Sequence, residues 1–191
     1  MKLRAMQVVA CLLCLLSLPS LLFAEESSFS FPFNAVHVRY EHKTEKQGAS
    51  LLRASASELF IDVESKRIAY ELTDQDGKTI MRKVFAGGYW YTLLPFTRKY
   101  EKVKSFADPL LELFSAHMCA PYPKLEKYIL GKKVNGCKMT EKQQVYFWHN
   151  IMLEQEMSMS GFVSLIKAIG IEVDKPIPEN LFTVSESQVA K

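Results

Sequence analysis

"RIAYELTDQDGKTIMRKVFAGGYWYTLLPFTRKYEKV", residues 67–103, is the stretch that decides the fold. Ile68, Tyr70 and Leu72 recur at every second position, the spacing of a half-buried strand. Asp76-Gly77 follows, a pair whose tolerance of positive φ suits a tight hairpin turn. "TIMRKVFA" and "YWYTLLP" come next, separated by Gly87-Gly88. Upstream the same alternation is present twice more. In "AVHVRYEH" Val36, Val38 and Tyr40 face one way while His37, Arg39 and Glu41 face the other, and "ELFIDVES" repeats the pattern with Leu59, Ile61 and Val63. Five consecutive antiparallel strands are expected.

Downstream the period changes. "FADPLLELFSAHMCAPYP" places Asp108 as an N-cap and Pro109 at the first helical position. Leu110, Leu113, Phe114 and His117 follow at helical spacing until Pro121 and Pro123 end the run. "KLEKYILG" aligns Leu125, Tyr128 and Ile129 as a second, shorter helix, with Gly131 as its C-terminal stop. Strands resume in "NGCKMTEK", turning at Asn135-Gly136, then in "QQVYFWHN" and "IMLEQEMSMS". In the last of these Ile151, Leu153, Met157 and Met159 line one side, and Glu154 and Glu156 face solvent. "FVSLIKAIGIEV" fits helix or strand, and its β-branched content makes it a strand. "KPIPENLFTV" closes the chain with two prolines and a short apolar finish typical of an edge.

The first residues have the layout of a secretory signal: Lys2 and Arg4, an apolar run from Val8 to Leu16, a Ser/Pro break at 17–20, then Ala24 before two glutamates. Cleavage after Ala24 is expected, the alternative being an uncleaved anchor. Residues 25–191 then form a single exported domain, large enough for one core. With Lys2 and Arg4 removed the formal charge falls from +3 to +1. That balance argues against a nucleic-acid partner, which requires a dense basic surface.

Cys11 and Cys14 lie inside the apolar targeting run and serve there as small hydrophobes. Cys119 and Cys137 remain, and an even pair in an exported chain reads as one disulfide, contributing about 3 kcal/mol on the chain-entropy estimate. The alternative is a redox or metal pair. The chain has no glycosylation sequon, no GxSxG, no dinucleotide fingerprint and no phosphate-cradling Gly-rich loop. His37, His42, His117 and His149 are scattered. "HMC" at 117–119 is the only place where soft metal-ligand types cluster, and oxidation of Cys119 removes its thiolate. No catalytic residue, metal or cofactor is expected.

"GGYWYTLLPFTRKYEKV", the helical insertion, "KVNGCKMTEKQQVYFWHNIML", the Met-bearing strand and the closing "PIPENLF" together resemble exported proteins of the LolA/LolB-like lipoprotein-carrier group, especially its uncharacterised bacterial envelope relatives. The likeness covers roughly Asn34 to Val184. It implies a mainly β fold in which a curved antiparallel sheet, a half-barrel, is capped by two or three helices. In that group the space between sheet and helices holds acyl chains, and the resemblance favours the periplasm. An incomplete barrel leaves a cavity lined by alternate residues of each strand, and methionines adapt to variable apolar ligands. Candidate lining residues are Tyr89, Tyr91, Leu93, Phe147, Met157 and Met159, with Leu113 and Phe114 from the lid helix. The alternative is that they fill a dry core. Arg98, Lys99, Lys102 and Lys104 are candidates for a basic rim that suits anionic headgroups or an acidic partner; Lys124, Lys127, Lys132 and Lys133 extend it. The expected activity is non-enzymatic binding of a lipid, lipidated protein or other amphiphile in the envelope. A ligand-free protein that docks an envelope partner by strand addition is the alternative.

Overall fold

The computed structural model describes residues 31–46, 51–106, 108–110, 119–159 and 161–190, with backbone only for 51–54. Its eleven strands are β1 (Ala35–Lys46), β2 (Leu51–Asp62), β3 (Arg67–Thr73), β4 (Thr79–Ala86), β5 (Tyr89–Leu93), β6 (Tyr100–Lys104), β7 (Lys124–Ile129), β8 (Lys132–Thr140), β9 (Gln143–Trp148), β10 (Ile151–Met159) and β11 (Phe162–Val173). They form one open, curved sheet in the order β6-β5-β4-β3-β2-β1-β11-β10-β9-β8-β7, with every neighbouring pair antiparallel. Two meanders thus run outward from a central seam where β1 pairs with β11. The edges are β6 and β7.

The predicted meander of five strands is present, and a sixth extends it. Gly87 and Gly88 both adopt positive φ, 57° and 82°, the backbone that lets a two-residue turn follow the twist of its strands. In the preceding hairpin Asp74 Oδ1 accepts hydrogen bonds from the amides of Asp76 and Lys78 at 3.0 and 2.9 Å. β6 arises from the basic run: Tyr91 lies opposite Lys102, and Tyr89 opposite Lys104.

Register assigns every side chain to one of two faces, because paired residues share a face and neighbours along a strand alternate. Val36, Val38, Leu59, Ile61 and Ile68 are buried on one, here the Val38 face. On the other, the Phe60 face, Phe60, Ala69 and Val84 form a cluster with Phe182, packed by Ile177, Leu181 and Val184. This last group comes from the segment after β11, which crosses the Phe60 face over β3 and β4.

Arg67 binds Glu179 through both terminal nitrogens, binds Asp62 at 2.6 Å, and lies 4.7 Å from the centre of the Phe182 ring. Arg82 Nη2 donates to the Leu181 carbonyl at 3.0 Å. At the β6 edge Val189 bridges Tyr100, whose carbonyl accepts the Ala190 amide at 2.8 Å. The closing segment is therefore a strap with 3-10 turns at Glu179–Phe182 and Glu186–Gln188, and not the edge strand its prolines suggested.

Three further sequence-based expectations are corrected. Lys124–Gly131 is not a helix. It supplies β7 and the turn after it, because Leu125, Lys127 and Ile129 point inward in alternation with exposed Lys124, Glu126 and Tyr128. Asn135-Gly136 is not a turn but lies within β8, where a Cβ on Gly136 would meet Tyr146 Cδ1 at 2.6 Å and the Val145 carbonyl at 2.2 Å. Glu154 is not solvent-facing. The register shift between Met152 and Glu154 turns it inward, where it is 7% exposed and paired with Lys127.

The lid helix starts as expected, with the Leu110 amide donating to Asp108 Oδ1 at 2.9 Å. Its continuation through Leu113 and Phe114 lies outside the described residues, as does the signal segment. A cap of two or three helices is not found among the described residues.

Candidate functional site

The bulge in β10 and the disulfide organise the Val38 face where it passes from the seam toward β7. Beside the bulge, Tyr40 reaches across from β1 and donates its hydroxyl to the Met152 carbonyl at 2.9 Å. Burial, with Tyr70 nearby, raises the Tyr40 hydroxyl well above its ordinary pKa, so it stays a donor. His42 Nε2 lies 2.7 Å from Ser57 Oγ, and burial lowers the imidazole below its usual value.

Further out, Gln155, Val145, Cys137 and Lys124 form a continuous row across β10, β9, β8 and β7. Cys137 is bonded to Cys119 (S–S 2.06 Å), which ties the chain before β7 onto this face. The predicted disulfide is present.

Next to that bond is a cleft of about 660 Å³. Phe147 and Asn135, paired across β9 and β8, belong to its lining together with Lys124, Glu126 and Lys133. Trp148, His149 and Asn150 close one end. His149 and Asn150 are both left-handed (φ 46° and 63°), which makes the β9–β10 connection a tight turn. Phe33 stacks on Trp148 at 5.4 Å and Lys132 Nζ sits 4.1 Å from the centre of the same ring, so that end is held in place. Lys133 pairs with Glu126 at 2.9 Å; the contact holds the ammonium above its ordinary pKa. Lys124, exposed, makes no ion pair among the described residues. The arrangement is an aromatic floor beneath a rim of amide groups, the Lys124 ammonium and the Lys133–Glu126 pair.

The candidate residues divide between locations. Phe147 lines the cleft. Met157 and Met159 share its face but lie beyond the disulfide row: Met157 is opposite Gln143, about 13 Å along β9 from Phe147 at ~3.3 Å per residue. Tyr89, Tyr91 and Leu93 are on the Phe60 face, where Tyr91 packs against the strap cluster. One cavity is therefore not lined by all of them. Lys102 Nζ lies 4.6 and 5.5 Å from the centres of the Tyr89 and Tyr91 rings and 3.6 Å from Glu186, so part of the aromatic-basic pattern is a structural stack. Arg98, Lys99, Lys102 and Lys104 lie along the β6 edge, at the other end of the strand order from the cleft. The cleft's own cations, Lys124 and Lys133, belonged to the extension of the predicted rim. Trp148 and Asn150 carried no signal in the sequence beyond the end of a strand. Among the described residues no three His, Cys, Asp or Glu side chains converge to hold a metal.

No family profile and no curated protein matches the chain. Solved structures similar to it include a LolA superfamily protein from Nitrosomonas europaea, 10% identical, with 82% of this chain and 93% of that one covered and a TM-score of 0.41. They include the lipoprotein LppX of Mycobacterium tuberculosis, 10% identical, covering 77% and 90%, TM-score 0.40. They also include MucB in complex with MucA(peri), 14% identical, covering 83% of this chain and 57% of MucB, TM-score 0.48. The group named from the sequence is thus represented among its structural neighbours.

Proposed function

We propose that this is an exported cell-envelope protein that binds a lipid or other amphiphile on the Val38 face, with the cleft over Phe147 as the site. The cleft itself carries the reading. Its volume of about 660 Å³ falls within the range that holds one small ligand. Its floor is aromatic and its rim carries the Lys124 ammonium, the Lys133–Glu126 ion pair and the Asn135 and Asn150 amides, the two-part chemistry an amphiphile requires. Met159 and Phe162, 59% and 42% exposed, lie opposite each other on the same face, beyond the disulfide row. A carrier role in the envelope follows if the ligand exchanges.

The test is titration of detergent-free, delipidated protein with a fluorescent acyl-chain probe. Saturable binding is expected in the parent, with loss of more than tenfold in Phe147→Asp, because a carboxylate on an apolar floor carries a desolvation cost of about 2 kcal/mol or more. A second reading, strand addition by a partner protein, is favoured by β7, an edge strand in the sheet order. No probe uptake by the folded parent would favour that reading.

A further inference from the structure

Phe96 and Phe106 are 98% and 91% exposed, the most exposed large apolar side chains among the described residues. They bracket β6, and their exposure is built in. The Phe96 loop is closed by the Leu94 amide donating to the Lys99 carbonyl at 2.8 Å and the Arg98 amide donating to the Leu94 carbonyl at 2.9 Å. Arg98 Nη1 fastens it to the Thr79 carbonyl at 3.1 Å. Just before Phe106, the Ser105 amide donates to the Gly88 carbonyl at 3.0 Å. Fixed backbone thus holds a phenylalanine in solvent at each end of a strand of about 17 Å, by ~3.4 Å per residue.

Between them are Arg98, Lys99, Lys102 and Lys104, and Val103 is half-exposed. The bordering acids are Glu101, Glu186 beside Lys102, Asp108 beyond Phe106, which pairs with Lys66 at 3.1 Å, and Asp74 and Asp76 in the turn next to Thr79. Cations exceed acids within the strip itself. Strand addition along β6 is obstructed at Tyr100, which already bridges Val189.

We infer that the β6 edge, from Phe96 to Phe106, is a docking surface for an anionic lipid bilayer. Exposed phenylalanines enter the headgroup boundary, and nearby Lys and Arg side chains are drawn to anionic lipid. The charge of the strip makes a bilayer with acidic headgroups the fitting partner; a neutral bilayer would satisfy the rings alone. This inference does not rest on the cleft.

Co-sedimentation of the exported protein with phosphatidylglycerol/phosphatidylethanolamine vesicles and with phosphatidylcholine vesicles tests it. Binding to the first, falling as salt is raised, is expected to exceed binding to the second by about tenfold or more. Phe96→Ala/Phe106→Ala and, separately, Lys99→Glu/Lys104→Glu are each expected to lose at least tenfold while their unfolding midpoints stay at the parent value. Phe147→Asp should sediment like the parent, which separates docking at the edge from lipid capture in the cleft. Equal binding to both vesicle types, undiminished binding by either double variant, or loss in Phe147→Asp alone would overturn the assignment.

Discussion

In the β1–β6 half of the sheet the Phe60 face is closed by the chain's own C-terminal strap, with Phe182 set against Phe60, Ala69 and Val84. In the β7–β9 region the opposite face carries a cleft over Phe147, walled by the Cys119–Cys137 disulfide. Both regions carry large apolar side chains on both faces of their strands, Phe60 beside Ile61 in one and Tyr146 beside Phe147 in the other, so the sequence pattern does not distinguish a sealed layer from a binding surface. What crosses the face does. In one half a strap tied by Arg67 and Arg82 fills the layer; in the other, among the described residues, the Cys119–Cys137 bond leaves room beside it.

The largest expected effect tests the sealed half. Phe182→Ala should cost about 3–5 kcal/mol, the range for truncating a buried phenylalanine, and leave probe binding unchanged in the folded variant. Denaturant unfolding measures it, and a loss below about 1 kcal/mol would mean the strap is only draped on the sheet. Next comes Cys137→Ser, which removes a cross-link between residues 18 apart. Its expected cost is about 3 kcal/mol, with a larger effect on thermal stability than on binding. A variant as stable as the parent would place the cleft wall elsewhere.

The smallest effect is a pH dependence of the strap. Burial alone would raise the Asp62 carboxyl, but hydrogen bonds from Arg67 and Ser65 outweigh it and hold the group below its ordinary value. Arg67 likewise holds Glu179 low, by a hydrogen bond first and by charge second. A carboxylate depressed in the folded state adds stability above its unfolded pKa, about 4, and that contribution disappears as pH falls through the lower folded value. Arg67→Gln should therefore flatten the acid limb of the unfolding midpoint below about pH 4. A limb as steep as the parent's would dissociate the strap from this ion pair.

The meander, the disulfide and the start of the lid helix were legible because each is encoded locally. Period-two spacing, Asp-Gly and Gly-Gly turns, an isolated cysteine pair and Asp108-Pro109 all act within a few residues. The errors have remote causes. Lys127 points inward because Glu154, 27 residues later, is turned toward it by a bulge, and without that partner Leu125, Tyr128 and Ile129 fit a helix as well as a strand. Gly136 is a glycine because Tyr146 crosses above it, not because the chain turns there. Tyr89 and Tyr91 alternate as a cavity wall would, but which face they occupy depends on the pairing of β1 with β11 and on a strap whose prolines suggested an edge. β6 offers only Tyr100 and Val103 as large apolar residues, one on each face, and so gives no stripe.

Native mass spectrometry of the protein isolated without detergent from cells that export it, followed by solvent extraction, tests the cleft most directly. A discrete added mass is expected in the parent that extracts as an amphiphile, persists in Tyr91→Ala and is absent from folded Phe147→Asp. A bare parent that takes up no acyl probe, or an adduct kept by Phe147→Asp and lost by Tyr91→Ala, would contradict it.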